Sequence, residues 1–308
     1  KNKKIVLSLL KKIKKRSISI IHDNKKYFAP QTVNELSKIL KKEPGAKIIN
    51  GGTDVSLIVT KERKDLNSLI NVNTIDELNY IKEFNSHIEV GSSTPLIDFE
   101  YFIKKYFPDF SLILKRYGSV QIRNVCTIAG NIATASPIGD TLPLLLALDS
   151  LIVIKGKNKT QIVPLNGFFK DYRKTKLKKG QFIHSIKIPL FKKNIFKAYK
   201  ISKRIDDDIS SVCASFNIEL KKNKITKIRI AYGGMSNIPK RAFKCEKALI
   251  NSFLSEKIIQ KAKKFLEEDF KPITDVRASK NYRMEVAKNL LEKCFLEVKQ
   301  KKNIRVAK

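Results

Sequence analysis

Lys47-Ile48-Ile49-Asn50-Gly51-Gly52-Thr53-Asp54 is the stretch on which the reading of this 308-residue chain turns. Three residues of apolar strand character run straight into two glycines. Consecutive glycines let the backbone take positive φ and expose N–H groups that no Cβ shields. Successive N–H groups arranged as a concavity can bind a pyrophosphate without committing side-chain charge. The Thr53 hydroxyl adds a donor. The same residues also fit a plain, tight strand-to-helix turn. The spacing is neither GxGxxG nor a P-loop, so a standard Rossmann or NTPase site is not indicated.

Working outward, the next informative stretch is Tyr117-Gly118-Ser119-Val120-Gln121-Ile122-Arg123-Asn124-Val125-Cys126-Thr127-Ile128-Ala129-Gly130-Asn131-Ile132-Ala133-Thr134-Ala135-Ser136-Pro137-Ile138-Gly139-Asp140. From residue 127 onward it is built of small residues, and Thr127, Asn131, Thr134 and Ser136 are neutral hydrogen-bonders. Backbone of this kind can approach a flat or phosphate-bearing ligand closely, and the one acid, Asp140, suits a ribose hydroxyl or a base amino group. The expectation is a long irregular connection, either facing a ligand or simply tightly packed.

Around these two stretches the chain is ordinary for a globular protein: 42% hydrophobic and 30% charged, with length for about two domains. Pro30-Gln31-Thr32-Val33-Asn34-Glu35 opens a helix, with Thr32 as cap, Glu35 reaching back, and Pro44-Gly45 as the stop. Strands are predicted at 88–90, 151–154, 162–165 and 182–188, and helices at 96–106, 110–117 and 142–148. Beyond residue 194 the pattern becomes an antiparallel sheet at 196–202, 212–220 and 225–232, with a hairpin turn at 221–224. Helices at 241–252, 255–265 and 278–299 follow. The longest apolar stretch, 142–154, is broken by Pro143, Asp149 and Ser150 and falls short of the roughly 20 residues a membrane span needs.

Lys and Arg number 63 against 29 Asp and Glu, a formal charge of +34. Such an excess raises nucleic acid as a partner, but the lysines are spread over every segment rather than gathered with exposed aromatics, which favours solvated faces. Anionic ligands, dinucleotides among them, are favoured in either case. Cys126, Cys213, Cys245 and Cys294 are far apart and form no CxxC, so no zinc-ribbon or ferredoxin spacing occurs. His22, His87 and His184 form no HExxH, and no metal site is expected. Unpaired cysteines and the lack of a secretory signal fit a cytoplasmic protein. Residues 1–15 form a basic amphipathic pattern whose apolar members include Ile5, Leu7, Leu9, Leu10 and Ile13.

Gly51-Gly52-Thr53-Asp54 together with the run from Arg123 to Asp140 resembles the FAD-binding portion of the molybdenum hydroxylases, in particular the small, flavin-carrying subunit of bacterial xanthine dehydrogenase. The likeness continues through Gly167-Phe168-Phe169-Lys170-Asp171-Tyr172-Arg173-Lys174, Lys203-Arg204-Ile205-Asp206-Asp207-Asp208-Ile209 and Gly233-Gly234-Met235. It extends to Pro239-Lys240-Arg241-Ala242, Asp275-Val276-Arg277-Ala278-Ser279 and Tyr282-Arg283, about residues 22–300 in all.

The resemblance implies an α+β fold. A two-part FAD-binding module of the vanillyl-alcohol-oxidase (PCMH) type would cover 22–192, and a C-terminal α+β domain of antiparallel sheet and helices would cover 193–302. Residues 1–21 would be the linker from an iron–sulfur domain that precedes Lys1 or lies on another chain. On the same grounds Lys47, Ile48, Ile49, Asn50, Gly51, Gly52, Thr53 and Asp54 would wrap the FAD pyrophosphate. Tyr117, Thr127, Gly130, Asn131, Thr134 and Asp140 would complete the cradle, Asp140 toward the adenosine. Ile183 would lie against the isoalloxazine and Lys200 would reach the cofactor. Tyr172 and Asp207 would lie near the flavin on the side where NAD approaches. Where the family usually has Gly-Gly-Asn, this chain has Ala129-Gly130-Asn131, whose extra methyl fits if the Ala129 φ is negative.

The implied role is an electron exit: electrons released at a molybdopterin cofactor on a large subunit arrive through [2Fe-2S] clusters and leave as hydride from flavin to NAD⁺. Carbon monoxide, aldehyde and benzoyl-CoA enzymes of the same family share the module and stand as alternatives to the xanthine type.

Overall fold

The computed structural model describes residues 2–12, 16–156 and 159–301. Lys1, residues 13–15 of the basic pattern (Ile13 included) and residue 302 lie outside the described residues. The amphipathic N-terminal pattern forms the helix Asn2–Lys12, whose side chains from Asn2 to Leu10 are exposed.

Among the described residues there are three sheets of four or five strands, besides a two-stranded ribbon, Phe169–Asp171 with Lys174–Thr175. The first has four strands in the order Ile18–His22, Lys25–Ala29, Ser68–Asn71, Lys47–Ile49; the first pair is antiparallel and the other two pairings are parallel. The helix Val33–Lys42 covers it, burying Val33, Leu36 and Leu40 against Ile70, Val72 and Ile75. Its cap is close to expectation. The Thr32 hydroxyl accepts from the Glu35 amide at 3.1 Å, while Glu35 reaches one residue further back and accepts from the Gln31 amide at 2.8 Å. The strands Ile18–His22 and Lys25–Ala29 were not anticipated; every side chain of the first is exposed, so neither a buried apolar run nor a two-faced alternation marks it.

The second sheet is antiparallel throughout, in the order Ile81–Glu83, His87–Gly91, Phe182–Pro189, Leu151–Gly156, Lys159–Pro164. Its inner face carries Ile88, Val90, Ile152, Ile154, Ile186 and Ile188 into one core with the helices Leu96–Ile103, Pro108–Lys115, Ile128–Thr134 and Thr141–Ala147. The third sheet is an antiparallel meander of Asn194–Ile201, Val212–Lys221, Lys224–Gly233 and Lys240–Arg241. Alternation along Val212–Lys221 is strict. Val212, Ala214, Phe216 and Ile218 face the helices Phe243–Leu249, Glu256–Asp269 and Lys280–Gln300, while Cys213 joins the core of the second layer.

The element that unites these layers is Thr141–Ala147, in which every residue is buried. A helix that is apolar all round needs cover on all sides, and this one packs between the second core and the far face of the third sheet. The Asn217 amide donates to the Ala147 carbonyl at 3.1 Å, and the Gly234 amide to the Pro137 carbonyl at 2.8 Å. At the helix start the Lys200 ammonium donates to the Asp140 carboxylate at 2.7 Å, with side-chain exposures of 1% and 6%, and the Ser210 hydroxyl donates to the other carboxylate oxygen.

The expectation of an irregular connection over residues 127–140 is corrected here: Ile128–Thr134 is a helix. Thr127 caps it by accepting from the Gly130 amide at 3.0 Å, and Ala135 ends it in the left-handed conformation at φ 51°. A stretch of small residues looked like a loop because its only helix signals are one cap and a short apolar face.

Truncating Asp140 to alanine would leave the Lys200 ammonium buried without its counter-charge. The expected cost is about 3–5 kcal/mol, read as a lowered urea midpoint. An unchanged midpoint would show that the pair does not hold the two layers together.

Candidate functional site

The strand Lys47–Ile49 lies at one edge of the first sheet, and its turn crosses to the loop before helix Ile128–Thr134. A Cβ on Gly51 would lie 2.1 Å from the Val125 carbonyl oxygen, so only glycine permits this approach. Gly52 has φ 68° and open space around it. The two glycines therefore do different jobs, and positive φ, expected at both, is confined to the second.

The Asn50 side-chain amide donates to the Val125 carbonyl at 3.4 Å, and the Thr134 hydroxyl donates to the Asp54 carboxylate at 3.3 Å. The two stretches thus converge, about 80 residues apart in sequence. Among the described residues, the amides of Gly51, Gly52, Thr53 and Asp54 donate to no protein acceptor. Asn50 Oδ1 is buried without a partner. Such orphaned groups call for a ligand or water to satisfy them, and a run of free N–H groups suits an anion such as a diphosphate.

The far wall is tied by side chains. Asn131, buried, donates from Nδ2 to the Tyr117 hydroxyl at 3.1 Å and accepts from the Thr141 hydroxyl at 2.6 Å. Burial pushes the Tyr117 phenol well above its usual pKa, so it stays neutral. Ala129 is helical and its side chain joins the core; its φ is not positive, so the methyl is accommodated. Gly130 is exposed on the helix surface. Two residues missing from the expected site hold the loop in shape. Arg123 donates from Nη1 to the carbonyls of Tyr117 and Gly118 at 3.2 and 2.6 Å, and Ser119 accepts from the Ile122 amide at 3.2 Å.

Other anticipated residues are placed differently. Asp140 and Lys200, expected to offer their charges to a nucleotide, spend them on each other, because both side chains lie beneath the cradle between packed layers. Ile183 belongs to the apolar core, at an irregularity in its pairing with Leu151–Gly156. Tyr172 is exposed at the tip of the ribbon Phe169–Asp171/Lys174–Thr175, with the Arg173 guanidinium 5.9 Å from its ring centre. That ribbon is tied to the C-terminal part by Asn237, whose side chain donates to Asp171 at 2.7 Å. Asp207 sits in an exposed turn at φ 50°. No hydrogen bond among the described residues joins Tyr172 or Asp207 to the cradle.

Beside Ile183, the opposite face of the sheet carries a polar group. Glu89 accepts from Tyr80 and Ser185 at 2.8 and 2.7 Å. His184 is held neutral there: burial first, then the Lys155 charge, push its pKa from 6.5 down to about 4.

The layers define a two-part module followed by an α+β domain. Residues 21–191 match the FAD binding domain in molybdopterin dehydrogenase, and residues 197–298 match the CO dehydrogenase flavoprotein C-terminal domain. The chain belongs to this flavoprotein family of molybdenum hydroxylase components, and is an FAD-binding oxidoreductase component. It is 30% identical over 270 residues to the xanthine dehydrogenase of Emericella nidulans, covering 83% of this chain and 20% of that protein. It thus spans about a fifth of that relative's length. It is also 28% identical over 277 residues to the glyceraldehyde dehydrogenase medium chain of Sulfolobus acidocaldarius, covering 88% of this chain and 97% of that one. A solved carbon monoxide dehydrogenase from Hydrogenophaga pseudoflava, lacking the Mo-pyranopterin moiety, shares the fold: TM-score 0.83 at 24% identity, over 89% of this chain and 96% of that one. No described helix is long and apolar enough to cross a membrane.

Two outcomes test this geometry. Gly51→Ala should destabilise by about 1–3 kcal/mol because the neighbouring atom is backbone and cannot swing aside; Gly52→Ala should cost about 1–2 kcal/mol from left-handed strain alone. Gly51→Ala is expected to be the worse of the two by urea midpoint, and equal effects would deny the close approach. For His184 the unfolded chain takes up a proton near pH 6.5 and the folded one resists until about 4. Stability present above pH 6.5 is therefore lost as pH falls through that window. His184→Gln should flatten this slope, and an unaltered slope would show that His184 is not the titrating group.

Proposed function

We propose that this chain is the FAD-carrying, electron-transfer component of a xanthine-dehydrogenase-like molybdenum hydroxylase. In this reading it receives electrons from [2Fe-2S] clusters and passes them as hydride to NAD⁺. The observation that supports it best is the row of four amides from Gly51 to Asp54 with no protein acceptor among the described residues, beside a second stretch that Gly51 alone allows to come so close. The FAD-binding part runs to about residue 192 and takes in the strand Ile18–His22 of its first sheet, residues 193–302 are the C-terminal domain, and the residues before that strand are the connection to an iron–sulfur domain. A molybdopterin-bearing large subunit completes the assembly.

Bound FAD would supply hydride exchange and two-electron storage, chemistry that belongs to the cofactor. The protein's own work is to bind, orient and exclude water. The Lys47–Asp54 turn holds the diphosphate through backbone amides. Asn131, fixed by Tyr117 and Thr141, keeps the opposite wall rigid. Thr127 and Thr134 bracket the helix that lines it, and Gly130 leaves its surface free of a side chain. Asp140 and Lys200 act from below as the pair that fixes the floor, and Ile183 fills the core under it. Tyr172 and Asp207 stand on exposed loops where an acceptor arrives. No general acid or base is required of the three histidines, and the chain's net positive charge favours an anionic dinucleotide as acceptor.

Near-complete coverage of the glyceraldehyde dehydrogenase medium chain favours a second reading, the same module in an aldehyde-oxidising assembly. Turnover of purines against aldehydes and carbon monoxide by the assembled complex separates the two. The flavin itself is tested more simply. The purified protein should be yellow, absorb near roughly 450 nm as free flavins do, and release FAD rather than FMN on denaturation. A colourless protein with steeply salt-dependent DNA affinity would overturn the proposal in favour of nucleic-acid binding.

A further inference from the structure

Two motifs that the sequence singles out lie in the C-terminal part, outside the cradle. One is Gly233-Gly234-Met235, at the end of strand Lys224–Gly233; the other is Asp275-Val276-Arg277-Ala278-Ser279 with Tyr282-Arg283, at the start of helix Lys280–Gln300. The fold brings them together. Arg283 is 1% exposed. Its Nη1 donates to the Ser211 carbonyl and, at 3.0 Å, to the Gly234 carbonyl, and its Nη2 donates to the Asp275 carboxylate at 2.7 Å. Asp275 is itself fixed, accepting from the amides of Arg277 and Ala278 at 2.8 and 3.2 Å. The Ser279 hydroxyl accepts from the Tyr282 amide at 3.2 Å and so sets the helix turn that carries Arg283. A planar guanidinium holds its donors in a rigid fork and grips several acceptors at once, which a lysine ammonium on a flexible stem does not reproduce.

Both carbonyls that Arg283 holds belong to segments that touch the far end of the cradle. The Gly234 amide donates to the Pro137 carbonyl at 2.8 Å, and Ser210, the neighbour of Ser211, donates to the Asp140 carboxylate. Gly234 has φ 81°, and a Cβ there would lie 2.3 Å from the Ser211 carbonyl oxygen, so this approach requires glycine. Between Pro137 and Asp140 stands Gly139, where a Cβ would lie 3.0 Å from Asn131 Oδ1. The backbone there rests against the amide that ties the cradle wall to Tyr117 and Thr141. Contacts thus run from a C-terminal helix to that wall, through Arg283, Gly234, Pro137, Gly139 and Asn131.

We propose that Arg283, charge-paired with Asp275, is a positioning residue for the cofactor: it holds the 137–140 segment against Asn131, and retention of FAD depends on it. This deepens the flavin reading given above and rests on it. The clamp itself does not, since it is made of the protein's own hydrogen bonds.

Three variants of the whole chain test the proposal. Arg283→Lys keeps the charge and loses the fork, while Asp275→Asn keeps the shape and loses the counter-charge. Ile259→Ala, in helix Glu256–Asp269, removes apolar bulk from the C-terminal core and no member of the clamp. FAD is titrated into flavin-stripped protein and followed by its fluorescence. The dissociation constant should rise about ten-fold in Arg283→Lys and in Asp275→Asn. Ile259→Ala should lower the urea midpoint yet leave FAD affinity within about two-fold of wild type. Affinity that tracks the urea midpoint across all three variants would reduce Arg283 to fold maintenance and overturn the proposal, as would unchanged affinity in Arg283→Lys. Hydrogen exchange supplies a readout that needs no flavin: the amides of residues 134–142 and 231–238 should exchange faster in Arg283→Lys. Wild-type exchange there would show that no clamp operates. A wild-type chain that takes up no FAD would instead defeat the flavin reading, while the exchange comparison would still decide whether Arg283 holds the segment.

Discussion

The approach of the Gly51 backbone to the Val125 carbonyl is the constraint on which the site depends. No Gly51 side chain separates the edge of the first sheet from the loop that precedes helix Ile128–Thr134, so two segments distant in sequence lie in direct contact. The consequences are local and chemical. Among the described residues four amides have no protein acceptor, and within that run the backbone takes φ 68° at Gly52. Asp54 can meet Thr134 because the loops are already in contact. Arg123 and Ser119 then serve to keep the Val125 side of the contact rigid, which explains why they spend their hydrogen bonds on backbone atoms of their own loop.

A second layer of organisation lies beneath. The carboxylate at the start of helix Thr141–Ala147 and the ammonium from strand Asn194–Ile201 meet out of contact with water. Further along the same helix and its following turn, Asp149 accepts from Arg229 at 2.9 Å and from Arg241 at 3.1 Å, and Arg241 in turn pairs with the buried Glu246. Charge is thus placed at both ends of an apolar helix, where it sets the register of the helix against the third sheet, while the apolar surface between supplies the burial.

Much of this was legible in the sequence where the signal is local. The alternation along residues 212–220, the turn at 221–224 and the Thr32 cap each depend on neighbours within a few positions, and each appears in the structure close to its expected place. The family resemblance singled out Gly51-Gly52-Thr53-Asp54 and the 123–140 run as continuous segments, and these two segments meet in the structure. What was not legible is pairwise and distant. The helix Ile128–Thr134 was hidden by its small residues. The partnership of Asp140 with Lys200 spans 60 positions, and the grip of Arg283 on Ser211 spans 72. No spacing rule connects such residues before the chain is folded, so a charge that reads as available to a ligand is found committed to the interior.

The burial of every residue in Thr141–Ala147 has an outcome for the molecule as a whole. One helix is shared floor for two layers that sequence families treat as separate blocks. Removing either block would uncover one side of this apolar helix, so the junction between the blocks is itself buried apolar surface. Grafting one block onto a foreign neighbour would demand a replacement for this helix first.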